Sequence, residues 1–295
     1  MKKLLAVMMS VIMLMGCGKP TQEAKPQAVE EKSSTSESKI EIGVLKLMEH
    51  PSLDEIYNSF ADEIKVLGYE DKIDLELQSG QNDMSMINTI AKKFVGDKKT
   101  LIVAIATPAA QGVAAATSEI PILFSAVTDP VAAGLTDSLE KPDRNLTGTS
   151  DRIPTDKILE LALELTPNIK TMGLIYNTAE VNSVTVITEM KKLLEEKGIK
   201  IKETPVNTTG EVATAAQTLV SNVDAIFSPI DNTVALGMPV LSKIATENKI
   251  PVYVSADSMV HDGGLATVGV NYENLGRQTA RMAVRILEGA KISDT

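Results

Sequence analysis

Residues 101–125 read LIVAIATPAAQGVAAATSEIPILFS, and the organisation of the whole chain can be worked out from them. Residues 101–106 form a short, almost wholly apolar run, residues 108–117 a helix of small residues, and residues 120–125 a second apolar run. A strand without polar alternation is what a parallel sheet covered on both faces requires, and a helix between two such strands is a βαβ unit. The same alternation extends towards the N-terminus, with strands at 40–47 and 73–78 and helices at 53–67 and 83–95.

Beyond Asn145-Leu146-Thr147-Gly148-Thr149-Ser150 the rhythm restarts. Helices are expected at 155–165, 183–197, 210–221 and 233–247, and strands at 172–176, 200–206, 225–228 and 251–255. Residues 265–271 read as an extended return, and a helix at 273–287 is placed back on the first sheet. The span from 39 to 295 exceeds the comfortable size of one hydrophobic core. The expectation is therefore an α/β protein of two doubly wound parallel-sheet lobes, 39–148 plus 268–295 and 149–267, joined by crossing segments at a hinged cleft. Two independent α/β domains would need a polar linker, and none lies between Ser125 and Pro154.

The N-terminal region has a different character. Met1-Lys2-Lys3 leads into an apolar run that ends at Gly16-Cys17. A positive start, an apolar core of about a dozen residues and a small residue before the cut make a secretory signal, and the run is shorter than the roughly 20 residues needed to span a bilayer. Leu14-Met15-Gly16-Cys17 resembles a bacterial lipobox, so residues 1–16 are expected to be removed and Cys17 acylated. Residues 18–38, polar and without an aromatic residue, cannot bury enough apolar surface to fold. As a coil they would tether the body on the order of 25 Å from the membrane. The expected location is the extracytoplasmic face of the cell membrane, held by lipid.

Composition removes several chemistries. Cys17 is the only cysteine, so the body has no disulfide, thiol nucleophile or thiolate metal site. A net charge of -10, more acidic still once Lys2 and Lys3 leave with the signal, disfavours nucleic acid. The chain contains no dinucleotide-binding G-x-G-x-x-G after a strand, no phosphate loop and no nucleophile elbow. Neither histidine has a Ser or Cys partner at a recognisable spacing. No cofactor and no metal is expected. The enzyme alternative is left with a carboxylate-only mechanism on Asp129, Asp231 or Asp257.

In doubly wound sheets, ligands sit at the carboxyl ends of the strands, and here those ends carry Ser, Thr, Asn and Asp. Most precede helices and have an ordinary role as caps, but helix N-termini that converge on a cleft also offer N–H groups and partial positive charge to a carboxylate. A zwitterionic amino acid needs that donor cluster together with a fixed acceptor for its ammonium. The candidate donors are Thr107, Ser125, Thr128, Asn182 and Ser183, with Asn177 and Asn232 beside them. The candidate acceptors are Asp231 and Asp257. For Glu49-His50, a cap and turn before Pro51 is the ordinary role and closing the cleft floor the alternative. Phe124, Tyr176, Phe227 and Tyr253 adjoin strand ends, where core packing is the ordinary role and a pocket wall the alternative. The absence of tryptophan argues against stacking on a sugar.

Six segments together resemble the substrate-binding lipoproteins of ABC transporters, tryptophan/tyrosine type. They are Glu49-His50-Pro51-Ser52-Leu53-Asp54, Ala106-Thr107-Pro108-Ala109-Ala110-Gln111, Ile122-Leu123-Phe124-Ser125-Ala126-Val127-Thr128-Asp129-Pro130, Leu146-Thr147-Gly148-Thr149-Ser150-Asp151, Asp231-Asn232-Thr233-Val234 and Asn274-Leu275-Gly276-Arg277-Gln278. The resemblance covers nearly all of 40–289. It implies a type I periplasmic-binding fold, an aromatic or apolar amino acid as ligand, a membrane permease and a cytoplasmic ATPase as partners, and a monomer that makes and breaks no bond. Chains of that family continue past a helix into a final strand and a further crossing, whereas this sequence reaches Thr295 just after a helix. A sensory lipoprotein that reports its ligand to a signalling partner is the alternative within the same class.

Overall fold

The computed structural model describes residues 39–295 apart from 139, 141 and 143. The signal, Cys17 and the tether expected at 1–38 lie outside the described residues.

Two parallel sheets organise the chain. The first has the order β2-β1-β3-β4-β5, built from β1 (Ile40–Lys46), β2 (Ile73–Ser79), β3 (Leu101–Ile105), β4 (Ile122–Ser125) and β5 (Leu146–Gly148). The second has the order β7-β6-β8-β9, built from β6 (Thr171–Leu174), β7 (Lys200–Glu203), β8 (Ala225–Ser228) and β9 (Val252–Val254). Every pairing is parallel. Strands β3, β4, β8 and β9 are buried along their whole length, as their largely apolar sequences require.

Helices α1 (Pro51–Val66), α2 (Met84–Gly96) and α3 (Thr107–Ala116) belong to the first sheet, and α4 (Thr155–Leu165), α5 (Val181–Glu196), α6 (Val212–Val220) and α7 (Asn232–Glu247) to the second. A short α8 (Asp257–His261) follows β9, and α9 (Tyr272–Leu287) returns to pack along α1 and against β4. Gly276 makes that return possible, because a Cβ there would lie 2.3 Å from the Ile56 carbonyl and 2.1 Å from Ser59 Oγ. Arg277 Nη1 and Arg281 Nε then close on the buried Glu63 carboxylate at 3.0 and 2.7 Å. The two guanidiniums, that of Arg281 first, hold this carboxyl below the usual carboxylate range.

Two elements depart from the sequence expectation. β5 is a strand inside the stretch read as the point of restart, and α8 is a helical turn where only a loop was expected. The extended return at 265–271 contributes a single bridge, Ala266 to Tyr253, and no continuous strand. The helix expected at 210–221 begins as a 3-10 turn, Thr209–Glu211, before α6 takes over.

Strand order in both sheets reverses around the first strand, so the chain leaves β1 and β3 in opposite directions, as it does β6 and β8. The loops at those two switch points, together with the two crossings at 149–154 and 262–271, enclose the space where a ligand would be sought. The larger hydrophobic core takes in residues of both sheets, among them Ile105, Val127, Ile175, Val206, Val254 and Met259, so the two halves are packed together.

Candidate ligand-binding site

A cavity of about 430 Å³, its mouth included, lies between the two halves. From the first sheet come His50, Ser52 and Leu53 after β1, Ala106 and Thr107 after β3, and Ala126 and Thr128 after β4. From the second come Asn182, Ile230, Asp231, Asn232 and Ala235, with Ala256, Ser258 and Met259 after β9. The crossings add Asp151 and Tyr272. Across the divide Ser52 Oγ donates to Ser258 Oγ at 2.8 Å.

Three buried side-chain atoms of this wall have no hydrogen-bond partner: Nε2 of His50, Oγ1 of Thr107 and Oδ1 of Asn182. Burying a polar atom without a partner costs about 1–3 kcal/mol, so three on one wall mark where a bound molecule would supply partners. Backbone strain coincides with them. Ala106 has φ 81° and Ala126 φ 56°, values that cost a residue with a Cβ of order 1–3 kcal/mol and that cluster where ligands are held. Both residues follow directly on a strand end and turn the chain into the cavity wall.

The second half presents a different chemistry. Glu180, the N-cap of α5, is buried and points away from its own helix to that of α7. Its Oε2 accepts from Asn232 N–H at 3.0 Å and from Asn232 Nδ2 at 2.6 Å, and its Oε1 from Thr233 N–H at 3.0 Å and Thr233 Oγ1 at 2.9 Å. Beside it Asp231 caps the same helix, with Oδ1 accepting from Val234 N–H at 2.8 Å and Oδ2 from Asn177 N–H at 2.6 Å. Burial first, and then the neighbouring charge of Glu180, pushes the Asp231 carboxyl up to about 7. Asp151 is also buried, which raises its carboxyl to about 6 against the pull of the Thr128 hydroxyl, 2.8 Å from Oδ1. Desolvation moves His50 in the opposite sense, below its usual range.

Of the residues singled out from the sequence, the fold brings Thr107, Thr128, Asn182, Asp231 and Asn232 to the wall. Four others lie away from it. Ser125 is locked with Thr149 and Thr279 in a buried ring of hydroxyls at 3.0–3.1 Å that ties β4, the first crossing and α9 together. Asn177 donates its N–H to Asp231 and its amide to Thr233 Oγ1 at 2.8 Å. Ser183 donates to the Ile230 carbonyl at 3.3 Å, and Asp257 accepts from Ser258 N–H at 2.8 Å at the start of α8. These four are positioned behind the wall because each spends its polar atoms on neighbouring backbone or side chains.

His50 is the N-cap of α1 but makes no side-chain cap, so the ordinary capping role gives way to the alternative, a place on the cavity wall. The wall and its support also contain residues the sequence reading did not single out. Asp151 entered only as the last residue of a motif. Glu180 had one signal, an acidic residue directly before a helix, and its partners lie 52 and 53 residues further on. Among the strand-end aromatics, Phe227 and Tyr253 pack in the second core and Phe124 in the first, while Tyr272, at the start of α9, is the aromatic residue on the wall. Among the described residues no Lys or Arg lines the cavity, no group of three potential ligands is poised for a metal, and no helix is long and apolar enough to cross a membrane.

Comparison with known proteins fits this geometry. The family model for ABC transporter substrate binding proteins matches residues 41–295. The chain is 42% identical over 293 residues to the Tyrosine-binding protein of Clostridioides difficile (strain R20291), covering 99% of this chain and 84% of that protein. A crystal structure of an ABC domain in complex with L-Trp from Streptococcus pneumonia is 42% identical and superposes with a TM-score of 0.84 over 88% of each chain. The ligand-free, open structure of a substrate binding protein with adhesive properties from Clostridium difficile is 46% identical, yet its TM-score is 0.67 over 86% of this chain and 87% of that one. Identity is nearly the same in the two cases, and the chain superposes better on the L-Trp complex than on the ligand-free, open structure.

Proposed function

This chain belongs to the family of ABC transporter substrate binding proteins, and from that premise we propose that it captures an aromatic or apolar amino acid by closing its two halves around it. Its fold is the type I periplasmic-binding fold, and its relatives are proteins that bind substrates. The observation that carries the reading is the wall itself: unpartnered polar atoms from both halves, His50 and Thr107 on one side and Asn182 on the other, face one cavity.

In this reading the ligand carboxylate lies among the helix starts of α1 and α3, near Ser52 and Thr107, where N–H groups and the helix dipole replace the Lys or Arg that the wall lacks. The ammonium meets a buried carboxylate. The side chain lies against Leu53, Ile230, Met259 and Tyr272, with Asn182 and Asn232 fixing its orientation. Closure is a population shift, and moving a two-state equilibrium from 1:99 to 99:1 takes a differential affinity of about 5.5 kcal/mol.

The protein then delivers its ligand to a membrane permease energised by an ATPase, as the extracytoplasmic component of an importer working as a monomer. Acylated Cys17 is its anchor. Replacing Cys17 by Ala is expected to release the protein from the membrane fraction.

The binding reading is tested by thermal denaturation and calorimetry with L-tyrosine, L-tryptophan, L-phenylalanine, monosaccharides and nucleosides. A ligand that binds only the native form at 100 times its Kd adds about 2.7 kcal/mol of stability. The expected result is a raised melting temperature with one or more of the amino acids, and recovery of that amino acid chemically unchanged. Stabilisation by sugars or nucleosides alone, or turnover of the amino acid, overturns it.

A further inference from the structure

The cavity holds two buried carboxylates, Asp151 and Asp231, and among the described residues no cationic side chain lines it. Both are candidates for a positively charged ligand group, and burial shifts both in the same direction, so their hydrogen-bond inventories must separate them. Asp231 is tied to the protein on both oxygens: one accepts the Val234 N–H and the other the Asn177 N–H, and both bonds hold backbone in place. Asp151 receives one side-chain hydrogen bond among the described residues, from Thr128 on Oδ1.

We propose that Asp151, in the segment where the chain crosses from the first half to the second, is the counter-charge for the ligand's ammonium, and that Asp231 is instead part of the scaffold that fixes the tip of α7. The inference rests on the amino-acid reading given above and deepens it. A buried carboxylate without a cation is costly to keep ionised, and an ammonium with three N–H donors supplies both the charge and the missing hydrogen bonds. Thr128, at the end of β4, holds Asp151 on the side of the first sheet. One residue further, Arg152 pairs with Asp129 at 2.8 Å and with Glu189 of α5. The ammonium would thus be gripped inside the crossing itself, and the other crossing brings Tyr272 to the same wall. The specificity this implies is for ligands with a primary ammonium, irrespective of the group beyond it.

The test compares wild type, Asp151→Asn and Asp231→Asn for binding of L-tyrosine and L-tryptophan against 3-(4-hydroxyphenyl)propionate and indole-3-propionate, which lack only the amine. Wild type is expected to prefer the amino acids by about 100-fold, the scale of a desolvated charge pair. In Asp151→Asn that preference collapses to within a few fold because affinity for the amino acids falls. In Asp231→Asn the preference survives and the melting temperature changes instead. Thr128→Val, which leaves Asp151 in place with one donor fewer, is expected to lower affinity for the amino acids by about tenfold and to leave the amine-free acids unaffected. Amino-acid preference retained in Asp151→Asn and in Thr128→Val, or lost in Asp231→Asn, overturns the assignment while leaving the binding reading intact. Failure of the wild type to bind either amino acid removes both together.

Discussion

The two sides of the cavity are built on opposite principles. On the side of the second sheet, Glu180, Asp231, Asn177 and Thr233 satisfy one another in a closed set of hydrogen bonds around the first turn of α7. On the side of the first sheet and the crossing, His50 Nε2 and Thr107 Oγ1 have no partner, and Ala106 and Ala126 carry strained backbone. A complete network is rigid and costs nothing to leave alone, whereas an incomplete one stores free energy that a ligand can release. Unpartnered atoms are therefore weighted towards the first wall, with Asn182 Oδ1 as the second wall's one open acceptor among the described residues.

Glu180→Ala is the strongest way to break this comparison. It removes five hydrogen bonds, from Asn182, Asn232 and Thr233, and strands the Asn232 and Thr233 N–H groups in the interior. The expected cost is about 3–5 kcal/mol, which lowers the melting temperature by about 10 °C. A protein melting as wild type would show that the second wall is no scaffold.

Next in size is a pH effect. In the folded protein the Asp231 and Asp151 carboxyls titrate at about 7 and about 6, against about 3.9 in an unfolded chain. The folded state therefore binds more protons across the interval between these values, and stability without ligand falls as pH rises from about 4 to 7. Asp231→Asn should flatten most of that slope in denaturant titrations at stepped pH. Ligand affinity runs the other way, rising as pH passes upward through about 6, since the ionised form of Asp151 is the one that pairs with an ammonium. Parallel trends in stability and affinity would contradict the contrast.

Thr107→Val sharpens it further. Removing an unpartnered buried hydroxyl should leave the unliganded protein as stable as wild type or about 1 kcal/mol more stable, yet weaken binding by about five- to tenfold in calorimetry. Arg152→Gln is the smallest change expected. The guanidinium is half-exposed and bridges Asp129 to Glu189 across the crossing, so losing it should cost less than about 1 kcal/mol of closure, read as at most a few-fold shift in Kd and a slightly larger mean radius in solution scattering.

The alternation of apolar strands and amphipathic helices made most of this fold legible, because burial on both faces leaves so plain a mark on β3, β4, β8 and β9. β5 escaped because three residues, Leu146–Gly148, carry too little pattern to distinguish a strand from a turn, and α8 because five residues fit a loop equally well. Strand-end position located Thr107, Thr128, Asn182, Asp231 and Asn232 on the wall. It could not say which polar atoms would be used up: Ser125 and Asn177 occupy equivalent positions and face inward to protein partners. Glu180 was hidden for the same reason, since its role depends on a helix more than fifty residues away, and that proximity is a property of the topology rather than of any local motif. The strand-end aromatics Phe124, Phe227 and Tyr253 turned into the cores, which left a tyrosine from the returning helix on the cavity wall.

That returning helix also sets an order of events. The second sheet and its helices occupy one uninterrupted stretch, but the face of α1 that receives Gly276 stays bare until α9 has been made. At about 5–20 residues per second, synthesis takes on the order of ten seconds to pass from the end of β5 to Tyr272. During that interval the half that emerged first is the half still unfinished, with the Ile56 and Phe60 side of its leading helix exposed to any sticky neighbour. Binding competence arrives last of all, with the residue that opens the closing helix.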